Sequence, residues 1–189
     1  MRVLSIANQK GGTGKTATAQ NVGYILAESG LRVLLIDSDP QSSLTRSVGI
    51  DDASGRSLAQ VYGGARAGKL SLKRAARDLG EGKPSIIPSD IELSFSEMDI
   101  NNRLRKESIL SRALDSVRDD YDIALIDCPP SLGWLTINAL NASHAVLVPT
   151  QPQAVDLRGV ALFLDTLETI REDLEKEIAL FGILVTFFD

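Results

Sequence analysis

An α/β fold, with a doubly wound and mostly parallel sheet carrying helices on both faces, is what this sequence predicts. Three observations lead there. Short apolar runs rich in β-branched residues recur along the chain, near-continuous rather than alternating, as strands buried on both faces of a parallel sheet must be. Amphipathic helical patterns lie between them. A glycine-rich stretch joins the first run to the first helical pattern, the place where such sheets present a ligand loop.

The runs are Val3–Ala7, Val33–Ile36, Ile123–Ile126, Ala145–Val148 and Gly182–Phe187. Lys15–Ser29 reads as a helix stopped by Gly30, and Leu104–Val117 and Leu157–Leu174 carry apolar residues at helical spacing. Residues 50–90, with glycines at 55, 63, 64, 68, 80 and 82, are the least regular part and are expected to form a peripheral helical excursion. The run FGILVTFFD near the end is expected to be a central strand needing a covering helix. That leads to the expectation that residues 1–189 are one domain lacking its natural C-terminal part.

At 189 residues, with 43% apolar and 24% charged side chains, the chain has the composition of one globular domain. No apolar run reaches the about 18 to 20 residues that span a bilayer, and the first residues do not form a secretory signal. A single cysteine, Cys128, permits no internal disulfide and no cysteine-built zinc site, which fits a reducing cytoplasm. With 20 basic and 25 acidic residues, the net charge of −5 excludes a globally basic nucleic-acid binder. Charge is uneven, however. Residues 66–83 carry six bases (Arg66, Lys69, Lys73, Arg74, Arg77, Lys83) against Asp78 and Glu81, whereas 165–189 carry seven acids against Arg171 and Lys176. Both stretches read first as solvated helix faces.

Lys10-Gly11-Gly12-Thr13-Gly14-Lys15-Thr16 is the strongest local signal. Between a strand and a helix, glycines let the backbone close around phosphate oxygens while helix N-terminal amides face the anion. Lys15 is placed to reach the β- and γ-phosphates of ATP, and the Thr16 hydroxyl to bind Mg²⁺. The usual first glycine of a P-loop would fall on Gln9, and Lys10 is an additional lysine. Gly12-x-Gly14-x-x-Ala17 with Asp37 also satisfies a dinucleotide fingerprint. That alternative leaves Lys15, Thr16 and a second acidic strand end without a role.

Two further strands end in carboxylates, in LLIDSDPQ (Asp37, Asp39) and ALIDCPP (Asp127). In an open parallel sheet these fall on the edge that holds the glycine loop. Asp127 follows four apolar residues, the pattern of a strand whose carboxylate holds Mg²⁺ directly or through water. Asp39 is a candidate to orient the attacking water and Asp37 to help hold the metal shell; either can instead cap the following turn. The combined pattern is of P-loop NTPase type.

These residues resemble the ParA-type (ParA/Soj) partition ATPases of the deviant Walker A group, which also contains MinD. KGGTGKT is similar to that family's phosphate loop, DSDPQ to its second acidic motif, and IDCPPSLGWLTINAL and LVPTQPQAVDLRGV to its later segments. The resemblance implies ATP and Mg²⁺ as cofactors, with Lys10, Gly11, Gly12, Thr13, Gly14, Lys15, Thr16 and Ala17 around the nucleotide. It implies Lys10, Lys15 and Asp39 in catalysis, with Lys10 reaching the partner's ATP in a sandwich homodimer. It further implies nonspecific DNA binding on the nucleoid and a ParB-like adaptor that stimulates slow hydrolysis while a cargo is positioned. Two substitutions depart from the family: Ala17 replaces a common threonine, and Ser42-Ser43 replaces Gly-Asn. The chain also ends at Asp189, before the family's arginine-bearing DNA segment. For this chain the weak DNA candidates are Lys73 and Arg77, four apart and on one face if their segment is helical.

The alternatives are a nucleotide-gated binding module with negligible hydrolysis and a MinD-type ATPase on a membrane surface. The second needs an amphipathic C-terminal helix that this sequence does not show; no membrane partner is expected. A nitrogenase iron protein would need two cluster cysteines. Cys128 and His144 read as structural residues, and Trp134 as core rather than dimer surface.

Overall fold

The computed structural model describes residues 1–63 and 69–187, without the side chains of 154–157. Gly64, Arg66, Gly68 and Asp189 lie outside the described residues. The chain runs β1 (Arg2–Ile6), α1 (Lys15–Glu28), β2 (Val33–Asp37), α2 (Ser43–Ser47), α3 (Leu58–Tyr62), α4 (Leu72–Ala75), β3 (Arg77–Asp78) and β4 (Ser85–Ile87). It continues through α5 (Glu92–Ile100), a 3₁₀ turn at Lys106–Ser108, α6 (Ile109–Asp115), β5 (Ile123–Asp127), α7 (Trp134–Ala142), β6 (Ala145–Thr150), α8 (Ala154–Asp173) and β7 (Ala179–Val185).

The strands form one seven-stranded sheet in the order β3-β4-β2-β5-β1-β6-β7, parallel except where β3 meets β4. The expected doubly wound architecture is what the chain adopts. Its near-continuous strands serve two cores. Ala124 and Ile126 of β5 join the cluster under α3, α5, α6, α7 and α8, while Leu125 between them joins the cluster under α1. A Cβ at Gly23 would stand 2.6 Å from Leu35 Cδ2, so glycine is what lets α1 lie so close to the sheet.

Three expectations need correction. The segment 50–90 is not a peripheral helical excursion alone. It supplies β4, whose Ile86 and Ile87 are fully buried beside β2, because a three-residue strand with two apolar side chains suffices to pair with a strand already buried on both faces. The helix expected over Leu104–Val117 is shortened to Ile109–Asp115, since Arg105 adopts φ 54 and Leu104 faces solvent. An additional helix, α5, precedes it. The strand expected at Gly182–Phe187 begins at Ala179 and lies at the sheet edge rather than the centre, with Phe181 71% exposed.

No helix among the described residues is long and apolar enough to cross a membrane. Cys128 is buried, as expected. The Val3 amide donates to His144 Nδ1 at 3.1 Å, tying the start of β6 to that of β1. Trp134 is half-buried on the core margin, its Nε1 donating to Asn101 Oδ1 at 3.1 Å and its ring lying 4.2 Å from Lys106 Nζ.

Candidate functional site

The loop from Gln9 to Gly14 leaves the carboxyl end of β1 and turns into α1 through two glycines with positive φ, Gly12 at 74° and Gly14 at 84°. An L side chain at either position would be strained. Gly14 stands at the N-cap of α1 with no side-chain cap, and the first turn carries no acidic residue. The first intrahelical donor is Thr18 N, to Gly14 O at 2.8 Å. The amides of Lys15, Thr16 and Ala17 therefore belong to the uncapped turn, where helix amides have no intrahelical acceptor and the helix dipole is positive.

Lys15 is buried (7% exposed), and its Nζ donates to the Lys10 carbonyl at 2.9 Å. Burial pulls this ammonium below the usual lysine value against the opposing charges of Asp127, Cys128 and Asp39. It is a cation held inside the loop with a backbone carbonyl as its hydrogen-bond partner. An incoming oxyanion would complete its pairing.

Asp37 and Asp127 end neighbouring strands in register, as the shared strand-end pattern anticipates. Their environments differ. Thr16 Oγ1 donates to Asp127 Oδ2 at 2.7 Å, while Asp127 Oδ1 is buried without a hydrogen-bond partner. Burial raises the Asp127 carboxyl to about 7, opposed by the Thr16 bond and Lys15 and assisted by Asp37 and Asp39. A hydroxyl and a carboxylate with one unsatisfied oxygen form a hard-oxygen pair suited to a small divalent cation that takes its other ligands from water and phosphate. Among the described residues no cluster of three or more His, Cys, Asp or Glu forms an all-protein metal cage.

Asp37 does not share that character. Its Oδ2 accepts from Thr45 N at 2.8 Å and Thr45 Oγ1 at 2.7 Å, and its Oδ1 accepts from Asp39 N at 3.1 Å. Both oxygens are committed to the turn that begins α2, the capping alternative the motif allowed. Burial still raises its carboxyl to about 6. Asp39, half-buried on the same turn, uses Oδ1 to accept from Gln41 N at 2.9 Å. Ser42 sits at φ 57, a left-handed position in which a glycine would carry no Cβ strain. That gives the departure from Gly at this position a physical meaning.

Three supporting residues escaped the sequence reading. Asn8 Nδ2 donates to Pro149 O at 2.7 Å and its Oδ1 accepts from Lys10 N at 3.0 Å. Gln151 Nε2 donates to Gly12 O at 2.9 Å, and Thr186 Oγ1 to Thr13 O at 3.0 Å. Each lies just past the carboxyl end of β1, β6 or β7, and that shared edge is the only signal that could have found them.

The expected DNA candidates lie on different elements. Helix α4 ends at Ala75 and Arg77 belongs to β3, so Lys73 and Arg77 share no helix face. Lys73 pairs with Asp120 at 2.9 Å, and Arg77 donates to the Asp52 carbonyl at 3.0 Å. Both cations have local partners, and the shared helix face expected of them is absent.

A sequence-family model described as an AAA domain matches residues 1–180. The chain is 37% identical over 188 residues to the sporulation initiation inhibitor protein Soj of Bacillus subtilis, all of it aligning with 73% of that protein. It is 39% identical over 193 residues to the chromosome partitioning protein ParA of Caulobacter vibrioides, again over its whole length and 70% of that protein. It spans only 58% of the length of an uncharacterized protein of Mycobacterium tuberculosis to which it is 38% identical. The fold matches the crystal structure of cobyrinic acid a,c-diamide synthase from Mycobacterium smegmatis with bound ATP analog and magnesium. The TM-score there is 0.92 at 39% identity, covering 100% of this chain and 76% of that one.

Proposed function

The chain belongs to the ParA-type partition ATPases, and from that premise we propose that it is a Mg²⁺-dependent ATPase acting as a cytoplasmic dimerisation switch on DNA. The observation that carries the reading is the juxtaposition of a buried lysine, an uncapped helix N-terminus and a buried carboxylate oxygen without a partner. A cation and aligned amides suit a polyphosphate, and the hydroxyl–carboxylate pair suits the Mg²⁺ that accompanies it. The ATP analog and magnesium in the Mycobacterium smegmatis relative support the same ligands here.

In this reading Gly11, Gly12, Thr13, Gly14 and Ala17 surround the phosphates with backbone amides, and Lys15 neutralises the β- and γ-oxygens. Thr16 and Asp127 would hold Mg²⁺, which supplies charge neutralisation on the phosphates when bound. Asp37 does not join them; it fixes the turn that presents Asp39. Asp39 orients the water that attacks the γ-phosphorus, with ADP as the leaving group. Lys10 enters the partner's site in a sandwich homodimer, offsetting repulsion between two ATP molecules brought face to face. An adaptor of the ParB kind stimulates hydrolysis, and the dimer binds duplex DNA through its phosphates without sequence preference, positioning a cargo on the nucleoid.

Calorimetric titration with ATP in the presence of Mg²⁺, on wild type and Lys15→Ala, tests the premise of the switch. Binding by wild type and at least a 100-fold loss in the variant are expected, because the loop loses its one buried cation. Equal affinity in the two proteins would remove the loop from nucleotide binding.

A further inference from the structure

The glycine loop is held from outside as well as shaped from within. Two of its successive carbonyls are taken by side chains that belong to neither the loop nor α1. Gly12 O accepts from Gln151 Nε2 at 2.9 Å, and Thr13 O lies 3.0 Å from Thr186 Oγ1, whose one proton it shares with Thr150 O at 3.1 Å. Gln151 follows β6 directly, and Thr186 follows β7. The Thr186 backbone is itself anchored, its amide donating to Thr150 O at 2.8 Å, continuous with the β6–β7 register that pairs Thr150 with Val185. Its methyl lies 3.3 Å from where a Cβ on Gly14 would stand, so the residue is closed against the loop on that side too.

The geometry of the peptide unit gives these two bonds a consequence. In a trans peptide the C=O of one residue and the N–H of the next point to opposite sides, and the chain contains no cis peptide bond among its described residues. A Gly12 carbonyl pulled toward Gln151 turns the Thr13 N–H the other way. A Thr13 carbonyl pulled toward Thr186 does the same for the Gly14 N–H. Each of these two peptide planes adjoins a glycine with positive φ, Gly12 or Gly14, where it is otherwise easily rotated. Left unheld, each plane would sample orientations that present a carbonyl oxygen to the phosphates in place of a donor.

We propose that Gln151 and Thr186 are positioning residues of the nucleotide site, holding the Gly12 and Thr13 carbonyls outward so that the Thr13 and Gly14 amides face the polyphosphate before it binds. The inference rests on the nucleotide reading above and adds to it the two strand ends that pre-set the loop. Neither side chain touches the reacting atoms. Because the amides serve substrate and transition state alike, their loss weakens binding more than it slows the chemical step.

The test uses Thr186→Val, which keeps the shape and removes the hydroxyl, Thr186→Ser, which keeps the hydroxyl, and Gln151→Glu, which replaces the donor with an acceptor-only oxygen. Titration calorimetry with ATP and Mg²⁺ gives affinity, steady-state phosphate release gives KM and kcat, and thermal melting without nucleotide monitors the fold. Thr186→Val and Gln151→Glu should each weaken ATP binding about 5- to 10-fold. KM should rise in parallel, kcat should stay within about twofold of wild type, and Thr186→Ser should recover most of the affinity. Wild-type affinity in both Thr186→Val and Gln151→Glu overturns the inference while leaving the nucleotide reading intact, provided Lys15→Ala still abolishes binding. Equal weakening in Thr186→Ser and Thr186→Val also overturns it, since the hydroxyl would then be irrelevant. Absence of ATP binding by wild type overturns both.

Discussion

Asp127→Asn in the nucleotide-free protein should raise thermal stability at pH 8 and forfeit that gain near pH 5. Burial holds the Asp127 carboxyl at about 7, against roughly 3.9 for an aspartate in water. Keeping it ionised in the fold at pH 8 therefore costs about 4 kcal/mol, at 1.36 kcal/mol per pH unit. The sign follows from proton counting. Between about pH 4 and pH 7 the folded protein retains a proton that the unfolded chain has released, so stability falls as pH rises through that window. Asparagine carries no charge and avoids the cost. It introduces an amide at a position where the buried Oδ1 has no partner, a penalty of about 1–3 kcal/mol. The net gain at pH 8 is thus about 1–3 kcal/mol, or about 2–12 °C in Tm for a chain of this size. Near pH 5 most of the wild-type cost has gone and the amide penalty remains, so the variant should be no more stable than wild type. Asp37, raised to about 6, titrates in the same window in both proteins, and removing its neighbour's charge adds to the gain with the same sign. Thermal melts of both proteins from pH 5 to pH 8 decide the matter. A Tm difference that does not change with pH, or a variant less stable at pH 8, would refute the argument that this carboxylate is held ionised at a cost.

Asp39→Ala should bind ATP within about threefold of wild type while phosphate release falls by about 100-fold, since water positioning is lost and the phosphate cradle is untouched; unimpaired release would take Asp39 out of the mechanism. Lys10→Ala should bind ATP nearly normally yet fail to form an ATP-dependent dimer on size-exclusion chromatography, because two polyphosphates then face each other without the added cation. A dimer of ordinary stability in that variant would place Lys10 outside the interface.

The fold class and the glycine loop were legible in the linear sequence because both are written in local terms. Continuous apolar runs such as LLI and ALI demand burial on two faces, and glycines at 12 and 14 beside Lys15 demand a backbone that closes on an anion. The aspartates at two strand ends were legible as a pair because parallel strands bring their carboxyl ends to one edge. What the sequence could not apportion was their chemistry. Asp37 and Asp127 end similar runs, LLID and ALID, and stand side by side in the sheet. Only the tertiary structure gives one of them Thr45 and the Asp39 amide as partners for both oxygens, and leaves the other with Thr16 on one oxygen and none on the second. The same holds for Gln151 and Thr186, about 140 and 170 positions from the loop they brace, and for Lys73 and Arg77, whose spacing suited a helix face that the strand at Arg77–Asp78 removes. Patterns of burial and loop chemistry act over a few residues and can be read along the chain. Which hydrogen-bonding partner reaches a given oxygen depends on strand order and register, and those are settled only when the sheet assembles.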